Sequence, residues 1–152
     1  MKISIGSDHA GFELKETLAE YLRQRGADVF DRGTYSKDSV DYPDFAQAVA
    51  RDVAAGTSDF GVLVCWTGVG ISIAASKVPG VRAVNCCNAE MAALSRQHNN
   101  ANVIAFGQKF VAPEDAEAWL DIFLREKFEG GRHERRVAKM EAGCSCNASC
   151  GE

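Results

Sequence analysis

The densest set of residues able to do chemistry lies between positions 62 and 73. An apolar run opens this segment and predicts a buried strand that ends at a thiol, Cys65. Gly68 and Gly70 then turn the chain into a helix predicted to begin near Ile71. A helix N-terminus offers unpaired N–H groups and partial positive charge, which favour an anion and lower the pKa of a nearby thiol. The segment therefore predicts a base and an anion cradle in one turn, although a small buried cysteine also satisfies the pattern.

The glycine turn does not match four common α/β motifs. A dinucleotide fingerprint needs a third glycine where Ile73 stands, and a Walker loop needs a Gly-Lys-Ser/Thr sequence that is absent here. A thioredoxin-type site needs a second cysteine close to Cys65, and a cysteine phosphatase loop needs arginine where Ile71 stands. What remains is a thiol beside backbone amides, without a redox partner.

Three further groups of polar residues follow the ends of predicted strands or helices. Asp8 and His9 come after the first strand, where they suit hydroxyl or phosphate binding, while Asp8 also suits an N-cap. His98, near the end of the fourth helix, suits either acid–base catalysis or an interaction with the helix dipole. Arg132 and Arg136 share one helix face and fit either a phosphate clamp or a solvated terminal helix.

The bulk composition excludes several classes of protein. A net charge of −4 over 152 residues argues against a general nucleic-acid or anionic-membrane binder. The apolar run at the start is too short for a signal peptide, and no segment approaches the ~18 apolar residues that a membrane span needs. We therefore expect a cytoplasmic protein with neither a nucleic-acid nor a membrane partner.

Cysteine placement argues against a disulfide-stapled secreted domain. Of the six cysteines, three lie at the ends of predicted strands and three lie close to the C-terminus: Cys65, Cys86, Cys87, Cys144, Cys146 and Cys150. In a reducing compartment these are expected to be thiols. Residues 143–152 are predicted to form a flexible cysteine-containing tail, with metal binding by that tail as the alternative.

Strand and helix patterns alternate along the whole chain. Five apolar segments predict strands, at 2–7, 27–31, 61–65, 81–86 and 102–106. Helical periodicity follows each of them, and Gly26, Gly56 and Gly130-Gly131 are expected to end helices, before a final helix over 132–139. This order predicts an α/β fold with a doubly wound, five-stranded parallel sheet covered by helices on both faces. We expect one domain over residues 1–142.

Five segments, in order along the chain, resemble the ribose-5-phosphate isomerase type B family, which also includes galactose-6-phosphate and allose-6-phosphate isomerases. They are Gly6–Gly11, Asp41-Tyr42-Pro43, Cys65–Ala75, Ser95–Asn99 and Gly130–Arg136. The resemblance implies a Rossmann-like three-layer α/β/α fold with a C-terminal helix. It also implies aldose–ketose isomerisation without metal or other cofactor, in a homodimer or a tetramer of dimers whose active site lies at the subunit interface.

The same resemblance assigns roles to individual residues. Cys65 resembles the base that moves a proton between C1 and C2 of the sugar, Thr67 assists at the substrate oxygens, and His98 opens the furanose ring. The expected substrate-binding residues are Asp8, His9, Tyr42, Trp66, Gly68, Val69, Gly70, Asn99, Lys109, Arg132 and Arg136.

Within that set, the amides of residues 66–70 resemble the anion hole, and Arg132 with Arg136 resembles the phosphate clamp. Two positions depart from the family pattern. Trp66 stands where a small residue is expected, and Lys109 stands where arginine is frequent, which preserves the charge but loses the planar fork. The expected substrate is ribose 5-phosphate. The alternatives are another phosphorylated aldose (allose 6-phosphate, galactose 6-phosphate or a tetrose phosphate) or a non-catalytic sugar-phosphate-binding protein.

Overall fold

The computed structural model describes residues 1–144, without the side chain of Cys144. Five parallel strands form one sheet in the order β2-β1-β3-β5-β4. They are β1 (Lys2–Ser7), β2 (Asp28–Asp31), β3 (Phe60–Cys65), β4 (Ala83–Asn85) and β5 (Val103–Gly107). The predicted doubly wound parallel sheet is confirmed, and each strand lies within two residues of its expected bounds.

Six helices connect and follow the strands. They are α1 (Phe12–Gln24), α2 (Tyr42–Ala54), α3 (Val69–Ala75), α4 (Ala89–Asn99), α5 (Pro113–Arg125) and α6 (Arg132–Cys144). Helix α5 ends at Arg125, five residues before the glycine pair expected to stop it, and α3 begins two residues before the expected Ile71. Gly143 and Cys144 end α6, whereas the remainder of the predicted tail, 145–152, lies outside the described residues.

Two separate cores show why the architecture has three layers. One core joins α1, α4 and α5 to one face of the sheet, with Leu18, Leu120 and Phe123 fully buried. The other joins α2 and α3 to the opposite face, where Cys65 packs among aliphatic side chains. Successive side chains of β3 point to opposite faces of the sheet. Leu63 therefore belongs to the second core, whereas its two neighbours in the strand belong to the first.

Adjacent strands bring two loops together at one edge of the sheet. Strand β1 pairs with β3 so that Ser7 lies opposite Val64, and the loops after β1 and β3 therefore leave the sheet side by side. The connections from these strands run in opposite directions across the sheet, which makes this a topological switch point. Within residues 1–144, no helix is long and apolar enough to cross a membrane.

Candidate active site

The turn after β3 holds a backbone amide against the sulfur of Cys65. The side chain is buried, with 4% of its surface exposed, and the N–H of Gly68 donates to its Sγ at 3.2 Å. Gly68 has a φ of 78°, a left-handed conformation that favours glycine. A Cβ at this position would also meet Oδ1 of Asn85 at 2.1 Å. The turn therefore requires glycine, and the same geometry directs an N–H group at the thiol.

Helix α3 begins directly after this turn, and its first residues present further N–H groups. The N–H of Val69 points at Oγ1 of Thr67 over 3.4 Å, and the N–H of Gly70 has no acceptor within its own helix. A Cβ at Gly70 would meet the ring of Tyr42 at 2.7 Å, so the absence of a side chain there lets the phenol lie against the helix start. The arrangement combines amide donors, a hydroxyl and an aromatic ring beside Cys65.

Asp8 and His9 lie next to this turn. The N–H of Asp8 donates to the carbonyl of Val64 at 3.3 Å, one residue before Cys65. Oδ1 of Asp8 accepts from the N–H of Gly11 at 2.9 Å, so Asp8 is an N-cap, but of a short 3-10 helix (His9–Gly11) that precedes α1, and the N-cap of α1 itself is Gly11. Burial raises the pKa of this carboxyl above its ordinary value, and the Gly11 hydrogen bond opposes that rise. Nδ1 of His9 lies 3.2 Å from the backbone nitrogen of Val40 and 3.3 Å from the carbonyl oxygen of the same residue, so the backbone of Val40 holds the ring in place.

Trp66 and Lys109 meet at the same edge of the sheet. Lys109 follows β5, and its N–H donates to the carbonyl of Trp66 at 3.1 Å. Its Nζ lies 5.6 Å from the centroid of the indole, within the range of a cation–π interaction. The indole is 49% exposed. We name this whole group the carboxyl-edge half-site: Asp8, His9, Tyr42, Cys65, Trp66, Thr67, Gly68, Val69, Gly70 and Lys109.

The remaining predicted site residues form a second group, which we name the amino-edge half-site: His98, Asn99, Arg132 and Arg136. The ring of His98 stacks on that of His133, with centroids 4.2 Å apart and planes within 5° of each other. Nε of Arg132 donates to Nε2 of His133 over 3.4 Å. Burial lowers the pKa of His133, and the positive charges of Arg132 and Arg136 contribute to that shift.

The two half-sites lie at opposite ends of the strands, one at the carboxyl ends (the carboxyl edge) and the other at the amino ends (the amino edge). Helix α4 runs back from the end of β4 to the start of β5, so its last residues lie near the first residues of the strands. Arg96 anchors that end, because its guanidinium lies 4.9 Å from the ring centroid of Phe60, which begins β3. Cys65 ends β3, and at the usual rise per residue it is roughly 16 Å farther along the strand. Within one chain, the structure does not bring His98 and Cys65 together.

Three residues near the site received no role from the sequence. Asn85 ends β4, and its Nδ2 points at the carbonyl of Thr67 over 3.4 Å while its Oδ1 is buried without a partner. His133 and Glu129 join the amino-edge half-site, where Oε2 of Glu129 lies 3.8 Å from Nε2 of both histidines. His133 lies inside a segment that carried the resemblance, and Asn85 is the second-last residue of the strand predicted over 81–86. Those were the available signals, whereas nothing in the sequence pointed to Glu129.

A cavity of ≈ 800 Å³ lies away from Cys65, between the outer edge of β4, α4 and the end of α6. Its lining includes Asn85 from the turn region and Asn99 from the amino-edge half-site. Large apolar side chains also reach the surface around it, with Met91 37%, Leu94 36% and Met140 45% exposed. Strand β4 is the last strand of the sheet, so one side of this edge strand lacks a neighbouring strand.

Comparison with known proteins finds a matching family model and similar proteins from bacteria. Residues 3–140 match the family model described as Ribose/Galactose Isomerase. Ribose-5-phosphate isomerase B of Escherichia coli is 50% identical over 141 residues, which cover 93% of this chain and 95% of that protein. A probable ribose-5-phosphate isomerase B of Mycoplasma pneumoniae is 43% identical, with coverage of 92% and 93%.

Solved structures give the same result. Ribose-5-phosphate isomerase B of Clostridium thermocellum superposes with a TM-score of 0.92 at 50% identity, covering 93% of this chain and 96% of that one. The Mycoplasma genitalium enzyme, solved with bound ribulose-5-phosphate, superposes with a TM-score of 0.91 at 42% identity, covering 95% and 97%.

Proposed function

The chain belongs to the ribose/galactose isomerase family, and from that premise we propose that it interconverts ribose 5-phosphate and ribulose 5-phosphate. The reaction is an aldose–ketose isomerisation, which needs a base beside the C1–C2 bond and a donor for the oxygen that gains charge. One observation carries the proposal: Cys65 ends a central strand with the amide nitrogen of Gly68 3.2 Å from its sulfur, and the backbone of Asp8 pairs with the residue before it.

In the proposed chemistry, the Cys65 thiolate removes the proton from C2 of the open-chain aldose. The electron pair of that C–H bond forms the C1=C2 double bond, and the charge moves to the oxygen of C1. The thiol then returns the proton to C1, while Thr67 assists the transfer between the two oxygens that leaves a ketone at C2. General-base catalysis of this kind contributes typically ~10²–10⁴-fold to the rate.

The amides of residues 66–70 are proposed to stabilise the enediolate. Gly68 and Gly70 lack side chains where the turn and Tyr42 leave no room for them, so backbone N–H groups can approach the substrate closely. Losing one donor to a developing oxyanion costs roughly 3–4 kcal/mol of transition-state stabilisation. Asp8 and His9 border the same turn and are proposed to bind sugar hydroxyls.

A second copy of the chain is proposed to complete each site. Because His98 and Cys65 lie at opposite edges of the sheet, ring opening and proton transfer require two chains to meet. The exposed apolar side chains of α4 and α6 beside β4 form the surface on which we place that second copy. The partner then supplies His98 for ring opening, Asn99 as a further ligand, and Arg132 with Arg136 as the phosphate clamp. A homodimer, or a tetramer of dimers, satisfies this requirement.

Binding of the phosphate positions the sugar for reaction. Arg132 and Arg136 stand four residues apart on α6, which puts both guanidinium groups on one face of the helix. Interactions with a group far from the reacting carbons can orient the substrate against the base. Lys109, from the carboxyl edge, adds a positive charge next to Trp66.

Trp66 favours a second candidate, in which the preferred substrate is another phosphorylated aldose. The half-exposed indole adjoins the base and changes the space available to the sugar. The substrate is then allose 6-phosphate, galactose 6-phosphate or a tetrose phosphate, and a non-catalytic sugar-phosphate-binding protein is the remaining alternative. A panel of four- to six-carbon sugar phosphates tests these options. We expect ribose 5-phosphate to have the highest kcat/KM, and a higher value for another sugar phosphate would favour the second candidate.

The Cys65→Ala variant provides the test of mechanism. We expect it to fold and to lose both isomerisation and the exchange of the C2 proton of ribose 5-phosphate with solvent deuterium. Undiminished exchange by a folded variant would contradict the assignment of the base. A wild-type chain that binds the sugar phosphate without exchanging that proton would favour the non-catalytic alternative.

The cellular setting follows the same proposal. We propose that residues 1–142 form one catalytic domain, which acts on a free sugar phosphate. We also propose that the enzyme is cytoplasmic. The free thiols of Cys65, Cys86 and Cys87 support a reducing compartment. The net charge of −4 supports the absence of nucleic-acid and membrane partners.

A further inference from the structure

The peptide group between Thr67 and Gly68 carries the amide that meets the sulfur of Cys65. Its N–H donates to Sγ at 3.2 Å, and the peptide is trans. The carbonyl oxygen and the N–H of a trans peptide lie in one plane and point in opposite directions. A contact that fixes the carbonyl of Thr67 therefore also fixes the direction of the N–H. The position of the donor at Cys65 thus depends on what holds that carbonyl oxygen.

Asn85, the last residue of β4, supplies a donor to the carbonyl oxygen of Thr67. Its Nδ2 lies 3.4 Å from that oxygen, which is a long hydrogen bond. Its Oδ1 is buried and has no partner within residues 1–144. A buried amide oxygen without a partner costs stability, and an apolar side chain at this place would avoid the cost. Asn85 is therefore better explained by the orientation of its neighbours than by stability.

Close packing also confines this peptide. Gly107 ends β5 and pairs with Cys65, and a Cβ on Gly107 would lie 2.5 Å from the carbonyl oxygen of Thr67. On the other side, a Cβ on Gly68 would lie 2.1 Å from Oδ1 of Asn85. The peptide is therefore enclosed between the end of β5 and the carboxamide of Asn85, which leaves it little room to rotate.

We propose that Asn85 is a positioning residue for Cys65 and acts through this peptide. The carboxamide holds the carbonyl oxygen, and the N–H at the other end of the peptide is thereby directed at the sulfur. A donor in that direction favours the thiolate over the thiol. The inference rests on the proposed function, in which the thiolate is the base that removes the C2 proton. Loss of the carboxamide should let the peptide tilt and leave less thiolate near neutral pH.

The rate at which iodoacetamide alkylates Cys65 tests this inference without turnover. Cys65 is the only cysteine between Arg51 and Lys77, so the tryptic peptide 52–77 reports its modification alone in mass spectrometry. Asn85→Leu keeps the approximate size of the side chain but removes the donor. Near pH 7 we expect it to slow alkylation by about three- to tenfold, because only the thiolate reacts and its hydrogen bond is weakened. Near pH 10, where thiols ionise without help, the rate should change less than about twofold.

Ser76→Ala is the matched control, because it also removes one side-chain hydrogen bond at β4. Oγ of Ser76 accepts from the N–H of Ala83 at 3.2 Å, at the opposite end of this strand from Asn85. The alkylation rate of this variant should stay within about twofold of wild type at both pH values. Urea unfolding checks that each variant is folded, and Asn85→Ala carries the same test if Asn85→Leu does not fold.

Equal alkylation rates near pH 7 in Asn85→Leu and Ser76→Ala would overturn the inference. A rate that falls by the same factor near pH 7 and near pH 10 would overturn it as well, since that pattern reports access to the sulfur instead of its ionisation. In steady-state kinetics, Asn85→Leu should lower kcat with little change in KM for ribose 5-phosphate, and an unchanged kcat would refute the catalytic consequence. A wild-type chain that is alkylated as expected but does not isomerise the sugar would count against the proposed function alone.

Discussion

The separation of Cys65 from His98 within one chain leads to a quantitative test by subunit complementation. Cys65 pairs with Gly107 at the carboxyl edge of the sheet, whereas His98 precedes the start of β5 at the amino edge. Four strand residues, or roughly 13 Å, separate Cys65 from Gly61, which pairs with Val103 at the start of β5. We therefore expect Cys65→Ala and His98→Ala homodimers each to lack the same group in both of their sites.

Mixing the two variants should restore activity by a predictable amount. In a heterodimer, one site combines the two altered half-sites and the other combines the two intact ones. Random exchange makes half of the dimers heterodimers, and each has one working site of two, so the mixture should reach about one quarter of wild-type activity. A heterodimer purified through two different affinity tags should reach about one half. The assay follows formation of ribulose 5-phosphate from ribose 5-phosphate.

A matched control uses two variants of the same half-site. Cys65→Ala and Asp8→Ala both alter the carboxyl edge, so each site of their heterodimer contains one altered carboxyl-edge half-site and no intact site forms. Purified Cys65→Ala/His98→Ala heterodimers with no more activity than their parents would refute the two-chain site. Recovery in the control pair of the same size would refute it as well.

Three further outcomes follow from the structure. Arg136→Ala should raise KM for ribose 5-phosphate with a smaller change in kcat, while Arg135→Ala should leave KM unchanged; steady-state kinetics of the two variants decide the role of the clamp. Asp31→Ala should lower the free energy of unfolding in urea by about 3 kcal/mol, because it removes the carboxylate 2.7 Å from the fully buried Nζ of Lys15. A loss below about 1 kcal/mol would contradict this, and would show that the carboxylate of Glu16, 2.5 Å from the same Nζ, is a sufficient partner. Chelators should leave the activity of the purified enzyme unchanged, and an activity loss reversed by added metal would contradict cofactor-free isomerisation.

Local patterns in the sequence predicted the elements and one half of the site. Apolar runs identified the strands, and Gly26, with its φ of 79°, ends α1 where a helix stop was expected. The grouping of Cys65 with the turn glycines was also predictable, because residues three to five apart meet through local backbone geometry alone. Asp8 could be added from the rule that carboxyl ends of adjacent parallel strands share an edge. The structure confirms that adjacency through the pairing of β1 with β3.

The division into two half-sites required the tertiary structure. The position of His98 depends on the placement of β5 between β3 and β4, and strand order is a non-local property that sequence periodicity does not encode. The stacking of His98 on His133 and the approach of Glu129 depend on how α6 docks on α4, through contacts among residues more than thirty positions apart. The sequence by itself determined which groups are available for catalysis, because residue type and local spacing set their chemistry. Only the packing of distant elements decided which of those groups one chain can bring together.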